Sequence, residues 1–388
     1  MFTRLAWVLG LVFAVSCRAG VPVGYTIPWV DLAGEVSRQV VVDREAGQYL
    51  GHPTTVLLED GRTMLCVYPK GHGRGPIVMK RSEDGGRAWS ERLPTPASWA
   101  TSKETPTIYR VRDRRVRDPE YRGERLLLFS GLYPIRIASS EDGGETWSEL
   151  EAIGAYGGIV AVASLAQRAD GSIVAWFHDD GRFIEEGGRE AANAAGWPAG
   201  FVVYQIESAD GGRSWSSPRA VVHREDVDLC EPGLVVSPDG KTWALLLREN
   251  ARRRNSFVVF SDDAGRTWSE PRELSGALTG DRHAAVYAPD GRLFISFRDT
   301  AHETATQGDW VGWVGTWEDI VAGREGAYRV RLEDNRHRWD CAYPGVEVLG
   351  DGTIVATTYG YWAEGEVPWI LSVRFTLEEL DARVRATP

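Results

Sequence analysis

The chain has 388 residues and a formal net charge of −11, which argues against nucleic-acid binding because a phosphate backbone requires a basic surface. Its length allows two ordinary domains or one large all-β domain. The 43 glycines and 16 tryptophans favour short strands joined by tight turns. The negative net charge does not exclude a local site that binds an acidic small molecule.

The N-terminus predicts an export signal at residues 1–20. Arg4 supplies a positive charge, and residues 5–15 form an apolar run that is too short to span a bilayer. Small residues surround Cys17, so a lipid on this cysteine is an alternative, although the usual leucine of a lipoprotein site is missing. We expect an exported protein that is periplasmic, extracellular or lipid-anchored at the cell surface.

The remaining cysteines are Cys66, Cys230 and Cys341, so at most one disulfide can form and cysteine pairing does not hold the fold together. The chain has no C-x-x-C or H-x-x-x-H spacing of the kind that binds a metal. The sequence therefore predicts neither a metal nor another cofactor.

An eight-residue box occurs four times, at residues 82–89, 140–147, 208–215 and 261–268. Each copy follows the pattern S-x-D-x-G-x-[TSA]-W after a stretch of strand-like alternation. Serine and aspartate can cap their own backbone, glycine accepts a positive φ, and tryptophan packs beneath the turn. The boxes therefore predict β-hairpins, and they identify an architecture rather than a chemistry.

A second repeat consists of a strand, an Asp-Gly turn and another strand. The residue eight positions before each turn is predicted to open the first strand of a unit, and the second unit shows Glu-Thr-Pro at that place. The residues in these opening positions are His52, Glu104 or Thr105, Val162, Glu231, Arg282 and Tyr343. Because the first strand of each propeller blade lines the central axis, we expect these side chains to converge in one cleft.

Six such units predict an all-β fold, a six-bladed β-propeller with four-stranded antiparallel blades over residues 36–380. An N-terminal strand at residues 38–42 is expected to close the ring by pairing with residues 370–375. The other predicted features are a surface excursion at 183–199, a short helix at 376–380 and a C-terminal tail at 381–388.

The boxes, the six units and the closing strand resemble the sialidase (neuraminidase) superfamily over roughly residues 36–380. Its enzymes place three arginines on the substrate carboxylate, use a tyrosine nucleophile that a glutamate activates, and use an aspartate as acid/base. The resemblance implies that Tyr343 is the nucleophile, that Glu231 activates it, and that Arg248 and Arg298 are two of the arginines.

The tyrosine–glutamate couple makes chemical sense by itself. A phenol is a poor nucleophile near neutral pH because its pKa is about 10, and a neighbouring carboxylate can accept its proton during attack. The two arginines end apolar strands, where a guanidinium fork suits a bidentate carboxylate. The structural alternatives are a half-buried strand tyrosine and a buried ion pair of either arginine with Glu249 or Asp299.

Two departures from the family pattern indicate a divergent branch. The family's first arginine is replaced by Gly-His-Pro at residues 51–53, and Arg282, next to His283 at the axis, could substitute for it. The loop at residues 69–75 lacks the aspartate that acts as acid/base in the family. This loop could hold a carboxylate or sulfate, or be merely solvated, and its basic residues are Lys70, His72 and Arg74.

Several residues could protonate the leaving group. Glu104 is the first choice, and the alternatives are Asp340, His72 and Asp179 or Asp180. His52 could donate to a substrate oxygen or act as acid/base, since a histidine pKa near 6.5 permits both, or it could simply cap a turn.

Together these features predict an exo-acting glycoside hydrolase, expected as a monomer, that releases a terminal acidic sugar from glycans. Sialic acid is the leading candidate. One alternative is a uronic-acid glycosidase or polysaccharide lyase, which the basic mouth formed by His52, Lys70, His72 and His283 favours. The other alternative is a glycan-binding propeller without catalytic activity.

Overall fold

The computed structural model describes residues 24–112, 123–184 and 200–386, and their strands form six sheets. The first strand of each sheet contacts the first strand of the next, and the sixth contacts the first. This ring of contacts confirms the six-bladed β-propeller. The predicted export signal, with its alternative lipid site, and most of the predicted excursion at 183–199 lie outside the described residues.

The first three blades begin at the channel and run outwards. Blade 1 has the strands Thr54–Leu57, Met64–Pro69 and Ile77–Ser82. Blade 2 has the strands Thr107–Arg112, Glu124–Ser130, Arg136–Ser140 and Glu151–Ala152. Blade 3 has the strands Ile159–Gln167, Ile173–Asp179, Val202–Ser208 and Arg219–Val222.

The last three blades repeat the same antiparallel order. Blade 4 has the strands Leu229–Val236, Trp243–Glu249, Phe257–Ser261 and Arg272–Glu273. Blade 5 has the strands Gly280–Tyr287, Leu293–Asp299, Trp310–Gly315 and Tyr328–Glu333. Blade 6 has the strands Gly345–Val348, Ile354–Gly360 and Trp369–Phe375.

The N-terminal segment completes the last two blades. The strand Gln39–Asp43 pairs antiparallel with Trp369–Phe375, which confirms the predicted ring closure. A strand that the sequence analysis did not predict, Trp29–Asp31, adds in parallel to the edge of blade 5. Four blades thus have four strands, while blade 5 has five and the described part of blade 1 has three.

Short helices lie outside the blades. The α-helix Trp317–Ala322 begins at a capping box formed by Thr316 and Asp319 and ends at Gly323, whose φ is 69°. The α-helix Leu377–Ala386 confirms the predicted C-terminal helix and continues through most of the expected tail. In the described ranges three 3-10 helices connect strands, and they are Val36–Arg38, Ala97–Thr101 and Gly276–Leu278.

The repeated boxes tie the third strand of a blade to its outer segment. In the first box, Ser82 Oγ accepts a hydrogen bond from Gly86 N and donates one to Asp84 Oδ1, each at 2.8 Å. The serines of the other three boxes make the same two bonds. This geometry confirms that the boxes are structural turns.

Apolar side chains are buried mainly between neighbouring blades rather than in one central core. For example, Leu127 and Phe129 of blade 2 pack with Val162 and Phe177 of blade 3. The channel itself encloses about 580 Å³.

Cys66, Cys230 and Cys341 are buried and unpaired. No helix in the described part of the chain is long and apolar enough to cross a membrane.

Candidate active site

A repeated backbone feature aims residues of the first strands at the axis. His52, Glu231 and Arg282 have φ values of 53°, 51° and 57°, which non-glycine residues adopt only at a strained turn or bulge. These are the opening positions that the Asp-Gly repeat predicts. In blades 3 and 6 the positive φ falls instead on Val160 and Ala342, slightly before the predicted Val162 and Tyr343.

Tyr343 and Glu231 meet across the channel. The Tyr343 hydroxyl donates a short hydrogen bond to Glu231 Oε1. Arg248 Nη1 donates to the same carboxylate oxygen at 2.7 Å and to the tyrosine hydroxyl at 3.4 Å. Burial opposes ionisation of Glu231, but the Arg248 charge, the hydrogen bond from Tyr343 and His178 together keep the pKa of Glu231 below its usual value. Burial and the Glu231 charge raise the pKa of Tyr343, so the resting pair is carboxylate and phenol.

Asp281, which the sequence analysis missed, gathers three arginines. It is fully buried and accepts hydrogen bonds from Arg252 Nη2 and Arg298 Nε, both at 2.8 Å. Arg248 Nε lies 3.1 Å from its other oxygen. Burial opposes its ionisation, but the charges of Arg248 and Arg298 hold the pKa of Asp281 far below its ordinary value. The arginines nearest to Tyr343 thus already bind a carboxylate of the chain.

His178 supports the backbone of Glu231. Its Nδ1 accepts a hydrogen bond from Glu231 N at 3.3 Å. Burial lowers the pKa of His178 to about 4, so the ring stays neutral and keeps this acceptor. The sequence analysis did not single out His178, because it lies near the end of the second strand of blade 3 and not at an opening position.

His52 lies between the loop at residues 69–75 and the tyrosines of the site. Its Nδ1 accepts a hydrogen bond from Gly73 N at 3.2 Å, and its Nε2 lies 3.1 Å from the Tyr359 hydroxyl. Burial lowers the pKa of His52 well below its usual value. The ring centroid is 4.7 Å from that of Tyr343, so this neutral histidine forms one wall of the pocket around Tyr343.

Asp340 and His72 form a polar pair beside this wall. His72 Nε2 lies 3.4 Å from Asp340 Oδ1, and 67% of the His72 side chain is exposed. Tyr49 and Tyr359 donate hydroxyl hydrogen bonds to Asp340 at 2.9 and 3.0 Å. Burial alone would raise the pKa of Asp340, but the hydrogen bonds from His72 and Tyr49 lower it to about 2.

Glu104 is placed behind the loop at residues 69–75. Its Oε1 accepts hydrogen bonds from Thr105 N at 2.9 Å and from Thr105 Oγ1 at 3.2 Å. A Cβ atom at Gly73 would lie 3.1 Å from the same oxygen, which explains the glycine at this point of the loop. Burial raises the pKa of Glu104, so this carboxyl group can also carry a proton.

Other predicted site residues serve different partners. Lys70 Nζ lies 3.0 Å from Glu45, and Arg74 is exposed on the loop. His283 Nε2 lies 2.9 Å from the carbonyl oxygen of Leu278, and burial lowers the pKa of His283 to about 4. His283 therefore stabilises the inside of blade 5 and does not reach the Tyr343–Glu231 pair by any described contact.

Arg282 lies at the axis, as predicted, and it lines the channel. It is buried, and its Nη1 has no hydrogen-bond partner among the described residues.

The alternative acids of blade 3 bind groups of their own loop. Asp179 accepts a hydrogen bond from Gly181 N at 2.9 Å, and Asp180 pairs with Arg182 at 2.7 Å.

No group of three or more His, Cys, Asp and Glu residues in the described ranges is arranged to hold a metal ion. The described residues instead provide the phenol of Tyr343 and the buried carboxylate of Glu231. His72 and Glu104 can each carry a proton, and the arginines around Asp281 form a cluster of cations. Such a set is suited to covalent attack by tyrosine with proton transfer at the site's mouth.

The fold is a six-bladed β-propeller, and comparisons with known proteins relate it to sialidases. Residues 189–310 match the family described as BNR repeat-like domain. A sialidase from Micromonospora viridifaciens is 28% identical over 261 residues, which are 62% of this chain and 36% of that protein. The match therefore spans little more than a third of the curated relative.

Solved structures with the same architecture include a protein of unknown function from Dyadobacter fermentans. It has a TM-score of 0.68 and 14% identity, over 87% of this chain and 97% of that one. A mutant of the NanB sialidase from Streptococcus pneumoniae has a TM-score of 0.59 and 12% identity, over 88% and 71% of the two chains. The chain is thus similar to sialidases of the BNR-repeat type, and it shares its six-bladed propeller fold with solved sialidase structures.

Proposed function

We propose that the protein is an exo-acting glycoside hydrolase with Tyr343 as its nucleophile. The observation that carries the proposal is the hydrogen bond from the Tyr343 hydroxyl to Glu231, a buried carboxylate that Arg248 keeps ionised. As the tyrosine oxygen attacks the anomeric carbon, its proton passes to Glu231, which overcomes the high pKa of the phenol. Water then hydrolyses the glycosyl-enzyme intermediate with retention of configuration.

Sialic acid is the first candidate for the released sugar. Its support is the name of the 28% identical relative, a sialidase, and the guanidinium of Arg248 beside the nucleophile. A specific observation favours a second candidate, a sugar without a carboxylate. Because Asp281 already neutralises part of the arginine cluster, a carboxylate of the substrate would share donors that the chain itself uses.

The test compares wild type with Tyr343→Phe on a sialylated glycoprotein of mixed linkages and on a panel of neutral glycosides. We expect release of a sugar by wild type and a loss of at least about a hundredfold in the variant. Turnover by Tyr343→Phe at the wild-type rate would refute the proposed nucleophile. The identity of the released sugar decides between the two candidates.

The other interpretations give different results in the same assay. A lyase would produce an unsaturated uronate, which absorbs in the ultraviolet, and no hydrolysis. A glycan-binding propeller would bind without turnover, and its affinity would be insensitive to Tyr343→Phe. We propose in addition that the protein is exported and monomeric, which fractionation and light scattering would test.

A further inference from the structure

We propose that His72, paired with Asp340, is the acid/base residue of this site. The inference rests on the proposed glycoside hydrolysis and names the group that protonates the leaving oxygen. His72 would be the catalytic residue, and Asp340 would be a positioning residue that acts through it.

The position of His72 suits a group that protonates the leaving oxygen. It lies on the loop at residues 69–75, which contains no carboxylate, and most of its side chain is exposed. The His52 ring is next to both residues, with centroids 4.8 Å from His72 and 4.7 Å from Tyr343. His72 thus occupies the solvent side of the pocket, where the part of the glycan that leaves must lie.

Asp340 is built as a fixed anion for this histidine. Tyr49 donates to both of its oxygens, at 2.9 and 3.0 Å, and Tyr359 donates at 3.0 Å. A carboxylate with this many donors stays ionised and cannot rotate freely. It therefore orients the His72 imidazole and stabilises its protonated form, which raises the pKa of His72.

His52 is excluded as the acid by its own hydrogen bonds. Because Gly73 N can only donate, His52 Nδ1 is an acceptor, and the proton of the neutral ring is on Nε2. That proton points to Tyr359, whose hydroxyl in turn donates to Asp340. Both nitrogens of His52 are therefore used to hold the wall and the Asp340 carboxylate in place.

The charged surroundings of His72 favour its cationic form. Asp340 faces it directly, and the Glu104 carboxyl group also raises its pKa. Lys70, on the same loop, is paired with Glu45. Partial burial of the ring opposes this form by lowering the pKa of His72. Arg74 is a further, exposed cation of the same loop. Tyr49 and His52 contact the ring without adding charge.

In the proposed reaction His72 and Glu231 each give and take one proton. His72 gives its proton to the glycosidic oxygen as the bond between that oxygen and the anomeric carbon breaks, and the Tyr343 oxygen bonds to the carbon while its proton moves to Glu231. Neutral His72 then takes a proton from water, whose oxygen attacks the anomeric carbon. The bond to Tyr343 breaks, and Glu231 returns the proton to the phenol.

The experiment compares His72→Gln with wild type on two substrates of the released sugar, an oligosaccharide and its para-nitrophenyl glycoside. We expect kcat/KM to fall by about a hundredfold or more on the oligosaccharide and far less on the aryl glycoside, whose leaving group departs without a proton. Wild type should lose activity as the pH rises past the pKa of His72, and this alkaline limb should disappear in His72→Gln.

Asp340→Asn tests the positioning role separately. Without the carboxylate the pKa of His72 falls, so the alkaline limb should move to lower pH, whereas a merely structural loss would leave its position unchanged. His337→Gln, an exposed histidine outside the loop, is the matched control and should keep the wild-type profile.

Each remaining outcome contradicts a defined part of the argument. A wild-type profile in His72→Gln, or loss of the limb in Glu104→Gln instead, would overturn the role of His72 and leave the proposed function intact. Absence of turnover of every glycoside by wild type would refute the proposed function, and the acid/base role with it.

Discussion

Asp281 and Arg298 face each other across the first two strands of blade 5, where the aspartate accepts a hydrogen bond from Arg298 Nε at 2.8 Å. Both side chains are buried. Arg298 Nη1 is also committed, since it donates to the carbonyl oxygens of Trp339 and Cys341. Arg298 is therefore held in place by contacts within the chain. Its partner Asp281 is a buried anion, and a substrate carboxylate could replace it only by exposing the Asp281 side chain.

Removing this anion should strongly destabilise the protein. In Asp281→Ala three guanidinium groups lose a shared buried partner, and breaking one side of a buried ion pair costs about 3–5 kcal/mol. Chemical denaturation should show this loss, and added formate should restore part of it by filling the vacated position. Asp262→Asn, at an exposed position, is the control. Unchanged stability of Asp281→Ala would contradict the importance of the pair.

Strand counting from the sequence does not predict that Asp281 pairs with Arg298. Counting outwards from the Asp290–Gly291 turn places Asp281 opposite Asp299, but the register shifts between Asp281 and Ala284 and brings Asp281 opposite Arg298. The sequence analysis considered Glu249 and Asp299 as partners of the arginines. Asp299 pairs instead with Arg329, at 3.0 Å. The choice among acidic neighbours depends on which side of each strand a carboxylate faces, and the bulge at Arg282 changes that side locally.

Other parts of the fold and the site were predictable to different degrees. The boxes and the Asp-Gly turns are local signals, so they predicted six blades and the axial positions of His52 and Glu231. Tyr49 and Tyr359 lie far from Asp340 in the repeat pattern, and their hydroxyl groups reach it only through tertiary packing. No spacing in the sequence indicates such a contact.

Tyr343 and Glu231 should act as one unit. Tyr343→Phe removes the nucleophile and Glu231→Gln removes its base, each with an expected loss of about a hundredfold or more in kcat. Because neither group works without the other, the double variant should be no slower than the slower single variant. Multiplied losses in the double variant would show that the two residues act independently. Thermal unfolding of all three variants provides the control for folding.

The boxes should contribute to stability without affecting activity. Asp210 Oδ1 accepts backbone hydrogen bonds from Arg213 at 3.0 Å and Ser214 at 2.9 Å. Asp210→Ala leaves these groups to water, so we expect unfolding to become easier by about 1 kcal/mol with kcat unchanged. Glu59→Ala, another exposed acidic position, is the control and should have no effect. A loss of activity in Asp210→Ala at full stability would assign a function to the box.

Glu347 should make the stability of the propeller depend on pH. Its side chain lines the channel and accepts a hydrogen bond from the Thr55 hydroxyl at 2.9 Å. Burial raises its pKa from 4.5 to about 7, despite the opposing effects of Thr55 and Arg110. The folded state therefore binds a proton more tightly than the unfolded state, so this contribution to stability is complete below pH 4.5 and disappears as the pH rises to about 7.

Glu347→Gln isolates this effect because the amide resembles the protonated acid at every pH. We expect the variant to match wild type near the lower end of the window and to be more stable by about 2 kcal/mol above it, a value reduced for the partial exposure of the side chain. Urea unfolding across the window measures the difference, and Glu59→Gln should show none. A constant difference between Glu347→Gln and wild type would mean that Glu347 ionises in the channel as freely as it does in the unfolded chain.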